Sequence, residues 1–183
     1  MKKYLWKVWE KSPLLHERIG GTDRNDYFLA SHEWSIYYGF GGYDTVDYSA
    51  ATGAVQVDLT LGRGFGDIAH EDYYFDIEKV IGSRFADTFK GDDKDNVFDG
   101  GSGNDVFIAT RGSDIYVGAR GSDAVDYSQF SSSISVDMTK AENQVTKVGY
   151  SKFSYEYDTL IIMEELRGPE FGDRYVGSTL SHK

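Results

Sequence analysis

The chain has no cysteine, so neither a disulfide framework nor a thiolate metal centre can be built from it. Only two of its 183 residues are proline. Basic residues are few: 19 Lys and Arg stand against 30 Asp and Glu, a formal net charge of −11. A chain this acidic cannot neutralise a run of phosphates, which argues against nucleic acid as a partner. Long apolar runs are missing too. The longest uniformly aliphatic stretch is Leu160-Ile161-Ile162-Met163, far short of the roughly 20 residues of a membrane-spanning helix. Residues 1–18 start basic but hold no continuous apolar core, so a cleaved signal peptide is not expected. Catalytic signatures are equally scarce, with no HExxH, no GxSxG and no Walker loop. GRGFGD at 62–67 brings its third glycine one residue too early for a dinucleotide fingerprint and reads as a turn, as does HED at 70–72. Asp67 and Asp72 beside these turns read as solvated surface groups rather than a further metal site. No catalytic residue emerges, and the chain is not expected to be an enzyme.

What is present is glycine, aspartate and repetition. Gly occurs 21 times, and Asp outnumbers Glu by 20 to 10. Asp bonds its own nearby backbone in turns, and Gly supplies positive φ, so the balance points to turn-rich β structure. Residues 82–126 divide without a gap into five nine-residue units: GSRFADTFK, GDDKDNVFD, GGSGNDVFI, ATRGSDIYV and GARGSDAVD. The sixth place holds Asp87, Asn96, Asp105, Asp114 and Asp123; the eighth holds Phe89, Phe98, Phe107, Tyr116 and Val125. A self-similar period this short marks a solenoid. Each unit splits into a six-residue turn and a three-residue strand. Two units make one coil of a flattened roll, and units two apart stack about 4.7–4.9 Å apart. The eighth residue points inward, so Phe89 over Phe107 and Phe98 over Tyr116 are expected as core ladders.

The same register opens earlier, at 21–47, as GTDRNDYFL, ASHEWSIYY and GFGGYDTVD, with Asp26, Ser35 and Asp44 at the sixth place. A larger duplication overlies it. Residues 41–59 align with 120–138, and 78–91 with 164–177. The expected organisation is one elongated all-β domain: an N-terminal cap or anchor at 1–20, a first array at 21–47 and a connector at 48–81. The central array at 82–126 follows, then a second connector at 127–167 and a last repeat with its tail at 168–183.

A sixth-place carboxylate together with turn carbonyls makes an all-oxygen cage, and oxygen ligands on a flexible loop suit Ca2+. Stacked carboxylates about 5 Å apart also repel by roughly 1 kcal/mol in water and several times that at an effective dielectric of about 20, so a bridging cation is in demand. Five units in register, GGSGND with GARGSD above all, resemble the RTX or haemolysin-type calcium-binding repeat of secreted bacterial proteins. The resemblance implies a parallel β-roll (a β-solenoid), folding linked to calcium, and export through a type I secretion channel to the extracellular space or cell surface. It places calcium between units two apart: Asp105 with Asp123 first, with Gly100, Gly103, Gly118 and Gly121 as the further metal-site residues of those turns. Asp87 with Asp105, Asn96 with Asp114, and Asp26 with Asp44 follow.

At the fourth place, where the pattern wants Gly, stand Phe85, Lys94 and Arg24. Two readings are open: Lys94 or Arg24 inserts its charge where calcium would sit, or these side chains point to solvent. Residues 1–20 carry five Lys/Arg, two Glu, Trp6 and Trp9, and read either as the closing cap of the solenoid or as an anchor for a partner or for self-association. Tyr37, Tyr38, Tyr73, Tyr74, Tyr150, Tyr155 and Tyr157 have no ladder assignment and read either as cover for the ends and sides of the solenoid or as a face for protein or glycan. Three functions follow: a non-enzymatic calcium-binding roll, a structural or adhesive surface or virion subunit partly free of metal, and a glycan-binding accessory module.

Overall fold

The computed structural model describes residues 16–31, 34–148, 155–169, 173–176 and 181–182. Every unit of the central array ends in a three-residue strand: Thr88–Lys90, Val97–Asp99, Val106–Ile108, Ile115–Val117 and Ala124–Asp126. In each, the middle residue is fully buried and the last is half-exposed, the period-two alternation of a strand with one dry face. Units two apart pair in parallel and in register, Phe98 opposite Tyr116 and Phe107 opposite both Phe89 and Val125. Alternate units therefore feed two facing sheets, of ten and nine strands among the described residues. This is the parallel β-roll that the nine-residue period predicts.

The core lies between the sheets. Phe89 stacks on Phe107 at 5.6 Å and Phe98 on Tyr116 at 6.1 Å within their sheets, and Phe89 meets Phe98 at 5.5 Å across them. Tyr37 and Tyr74 join this ladder, ring planes 8° apart at 6.0 Å, so two of the unassigned tyrosines are core residues. Tyr38 stacks on Phe75 at 5.0 Å on the outer face, and Tyr155 and Tyr157 are exposed. Trp6, Trp9 and Tyr150 lie outside the described residues. Strand Glu17–Gly20 ends the ten-stranded sheet by pairing with Ser35–Tyr38.

The connectors are built into the same sheets. Gln56–Asp58 pairs with Thr88–Lys90, Tyr73–Phe75 with Ser35–Tyr38, and Lys79–Ile81 lies between Thr45–Asp47 and Val97–Asp99. GRGFGD, expected as a turn, instead holds strand Arg63–Phe65, antiparallel to Gln56–Asp58. Gly62 (φ 62) and Gly66 (φ 77) bend the chain on either side of it, so the glycines that suggest a turn delimit a hairpin arm. The second connector repeats the device with Ser135–Asp137 and Val145–Val148, the latter antiparallel to the start of Tyr155–Ile161.

The sequence duplication is a duplication of hydrogen bonds. Val55 donates its amide to Asp87 and Ile134 donates to Asp173. The Tyr48 hydroxyl bonds Asp72 at 2.6 Å, and the Tyr127 hydroxyl bonds Asp158 at 2.7 Å. No helix among the described residues is long and apolar enough to cross a membrane.

Phe107 is fully buried in the centre of the ladder. Phe107→Ala is expected to destabilise the roll by about 3–5 kcal/mol, read by thermal or denaturant unfolding; a loss under about 1 kcal/mol would contradict the ladder.

Candidate metal centre

The sixth residue of each unit sits where the turn becomes strand. At Asp44, Asp105, Asp114 and Asp123 its side chain reaches along the stack and accepts the amide of the sixth residue two units earlier. Asp105 takes the Asp87 amide at 2.8 Å, Asp123 that of Asp105 at 2.8 Å, and Glu164 that of Asp123 at 2.8 Å. At the other edge Asp114 takes the Asn96 amide and Asp158 that of Asp114, both at 2.9 Å. In the first array Asp44 takes the Asp26 amide at 2.7 Å and Glu78 that of Asp44 at 2.9 Å. The expected pairs 105/123, 87/105, 96/114 and 26/44 are therefore all brought together.

Asp72, Glu78, Asp158 and Glu164 complete these columns and were not among the expected site residues. Asp72, read as a surface group, is fully buried and accepts the Ser35 amide at 2.7 Å. Each keeps the spacing of an acidic residue two before a buried apolar one: Asp72 with Tyr74, Glu78 with Val80, Asp158 with Leu160, Glu164 with Leu166. That spacing was the available signal. It is hidden because these units hold no glycine.

The turns are of two kinds. In the closed kind, the second residue is polar and satisfies the carboxylate locally. Asp26 accepts the Thr22 amide at 2.6 Å, Asp87 the Ser83 amide at 2.5 Å, and Asn96 the Asp92 amide at 2.9 Å. The fourth-place amides of Arg24, Phe85 and Lys94 then bond the side chains of Thr22, Ser83 and Asp92. These are the fourth places that lack glycine. The turns stacked on them have it: a Cβ at Gly42, Gly103 or Gly112 would come within 2.8, 2.4 or 2.2 Å of the carbonyl oxygen of Arg24, Phe85 or Lys94. Gly121 sits in the same way on Gly103. Fourth-place glycine is thus required only where one turn lies on another. Lys94 and Arg24 do not enter the columns. Both are exposed, and Lys94 pairs with Asp76 at the surface at 3.3 Å.

In the open kind, the carboxylate has an oxygen to spare. The Oδ2 atoms of Asp44, Asp105 and Asp123 are buried without a hydrogen-bond partner. Each faces a first-place glycine. A Cβ at Gly39, Gly100 or Gly118 would lie 2.4, 2.2 or 2.6 Å from it, and at Gly118 also 2.2 Å from the Ile162 carbonyl oxygen. Among the described residues no ion pair reaches these three carboxylates. Nor do three carboxylate or histidine side chains converge on one point. A cation here would be held by stacked aspartates with turn carbonyls, and this donor set of hard oxygens fits calcium.

Residues 81–116 and 90–125 match the family model of the RTX calcium-binding nonapeptide repeat (4 copies). The central array is an RTX calcium-binding array. No curated protein matches the chain.

Burial of the sixth-place carboxylates perturbs their acidity, in the RTX array and in the first array alike. Burial, followed by the charges of Asp87, Asp123 and Asp99, pushes Asp105 up to about 7. Burial also raises Asp123, Asp87 and Asp44. Between about pH 4 and pH 7 the unfolded chain has released the proton that folded Asp105 retains, so stability falls as pH rises through that window. Calcium-free protein is therefore expected to melt higher near pH 5 than near pH 7.5, with calcium narrowing or reversing the gap. A calcium-free melting temperature that climbs over the same interval would contradict the burial of an uncompensated Asp105.

Proposed function

We propose that this protein is a non-enzymatic β-roll whose folding is stabilised by calcium held in the open turns, chiefly at Asp105 and Asp123 with Gly100 and Gly118. The observation that carries the reading is the pair of buried, unpartnered aspartate oxygens, each packed so closely against a first-place glycine that no Cβ would fit. Bound calcium would supply the positive charge that this edge lacks, and Asp44 offers a further place in the first array. Asp26, Asp87 and Asn96 have their oxygens engaged by their own turns and act as the bases on which the open turns stack. Extracellular action fits a weak site, since calcium modules outside cells work at about 10⁻⁴–10⁻³ M. Export by a type I route is part of the same proposal and rests on the likeness of the array to secreted RTX proteins. The alternative of a structural subunit partly free of metal is favoured at one edge only, by Lys147 below.

The test is unfolding followed by circular dichroism in chelator and in millimolar calcium, with calorimetric titration. Calcium is expected to raise the melting temperature of the wild-type chain. Asp105→Asn/Asp123→Asn should lose most of that rise, whereas Asp26→Asn should keep it. A wild-type melting temperature unchanged by calcium, with no heat of binding, would overturn the reading.

A further inference from the structure

Among the described residues one cationic side chain does enter a carboxylate column. Lys147, on strand Val145–Val148, is fully buried. Its Nζ lies 2.6 Å from Asp158 Oδ1, 3.4 Å from Asp114 Oδ2 and 2.6 Å from the Thr110 carbonyl oxygen that accepts its hydrogen bond. The Phe130 ring covers it at 5.6 Å. Two stacked sixth-place carboxylates and a turn carbonyl thus surround a positive charge carried by the chain itself.

We propose that the Lys147 ammonium takes the place of a metal ion between units 109–117 and 153–161, so that this edge of the roll is locked without calcium. The duplicated module supplies an internal control. In the first copy, Asp72 corresponds to Asp158 and receives the matching tyrosine hydroxyl, from Tyr48. There the residue stacked against it is Ser35 rather than an aspartate, and the corresponding hairpin carries Gly66 at the position of Lys147. The lysine occurs where the second carboxylate does. The first place of the same coil differs as well: Ala109, buried, carries a methyl, whereas a Cβ at Gly100 or Gly118 would collide with the sixth-place carboxylate of its own unit. One edge is neutralised from within, and the opposite edge, with Asp105 and Asp123, has no ion pair to these carboxylates among the described residues.

The test uses the full chain in chelator and in calcium. Lys147→Met is expected to lower the melting temperature in chelator by roughly 10 °C, because a broken buried pair leaves an uncompensated charge. Adding Asp114→Asn to Lys147→Met should restore most of the loss, since it recreates the single buried carboxylate found at Asp72. Asp114→Asn alone should leave the number of calcium ions bound, counted by calorimetry, as in wild type. If Lys147→Met does not fold, recovery of folding by the double variant supports the proposal equally. A double variant no more stable than Lys147→Met would mean that Lys147 acts by packing, and the proposal fails. Loss of one ion in Asp114→Asn would mean that metal binds at this edge, and the proposal fails again. A wild-type chain indifferent to calcium overturns the function proposed above, while the rescue in chelator still decides the role of Lys147.

Discussion

The constraint on which this roll depends is the stacking of like charges. Each coil is tied to the next by a sixth-place carboxylate that accepts a backbone amide from the coil before it, as Asp123 does from Asp105 and Asp105 from Asp87. The bond settles an amide at the turn-to-strand junction, where an unmade hydrogen bond would be costly. It also forces carboxylates into a column. Two charges about 5 Å apart at an effective dielectric of about 20 repel by roughly 3 kcal/mol, several times the net worth of an ordinary hydrogen bond. The column is stable only if something answers that repulsion.

The structure contains three answers. At the base of each column a polar second-place residue, Thr22, Ser83 or Asp92, feeds hydrogen bonds to the sixth-place oxygen. At Asn96 the charge is simply absent. At Asp114 and Asp158 burial raises both groups, Lys147 opposes the rise, and its ammonium lies 2.6 Å from Asp158 and 3.4 Å from Asp114. Asp44, Asp105 and Asp123 receive none of these, and their spare oxygens are the places where an external cation has most to contribute. Metal dependence in such a roll is therefore a property of individual turns, set by whether the second residue, the sixth residue or a neighbouring strand has already dealt with the charge.

The connectors change the picture of a repeat protein as arrays joined by linkers. Residues 48–81 and 127–167 supply strands to both sheets, and their units keep the inward apolar residue and the acidic sixth place while losing glycine. They also add antiparallel strands at Arg63–Phe65 and Val145–Val148, each inserted into a sheet between two other strands. The second arm delivers Lys147. A hairpin inserted into a solenoid is thus a route by which a repeat fold acquires a side chain that its own nine-residue unit has no place for.

Local sequence determined the unit: a strand of three with its middle residue buried, a glycine-bearing turn, and an aspartate at the junction, because a nine-residue period admits no other regular stack for Phe89, Phe107 and their equivalents. It also determined which units meet, since the pairing of places eighteen residues apart follows from two units per coil. The second-place residue, four before the sixth, decided locally which carboxylates keep a spare oxygen; tertiary structure alone decided which charge is answered from a distant segment. Asp87 and Asp105 have the same place in the repeat, yet one is satisfied by Ser83 and the other is left with a bare oxygen. Lys147 lies 33 residues from Asp114 in a segment without the repeat, and only the antiparallel arm brings its charge into the column. The reason is general: a period encodes what each unit shares, whereas neutralising a buried charge depends on what happens to lie next to it in space.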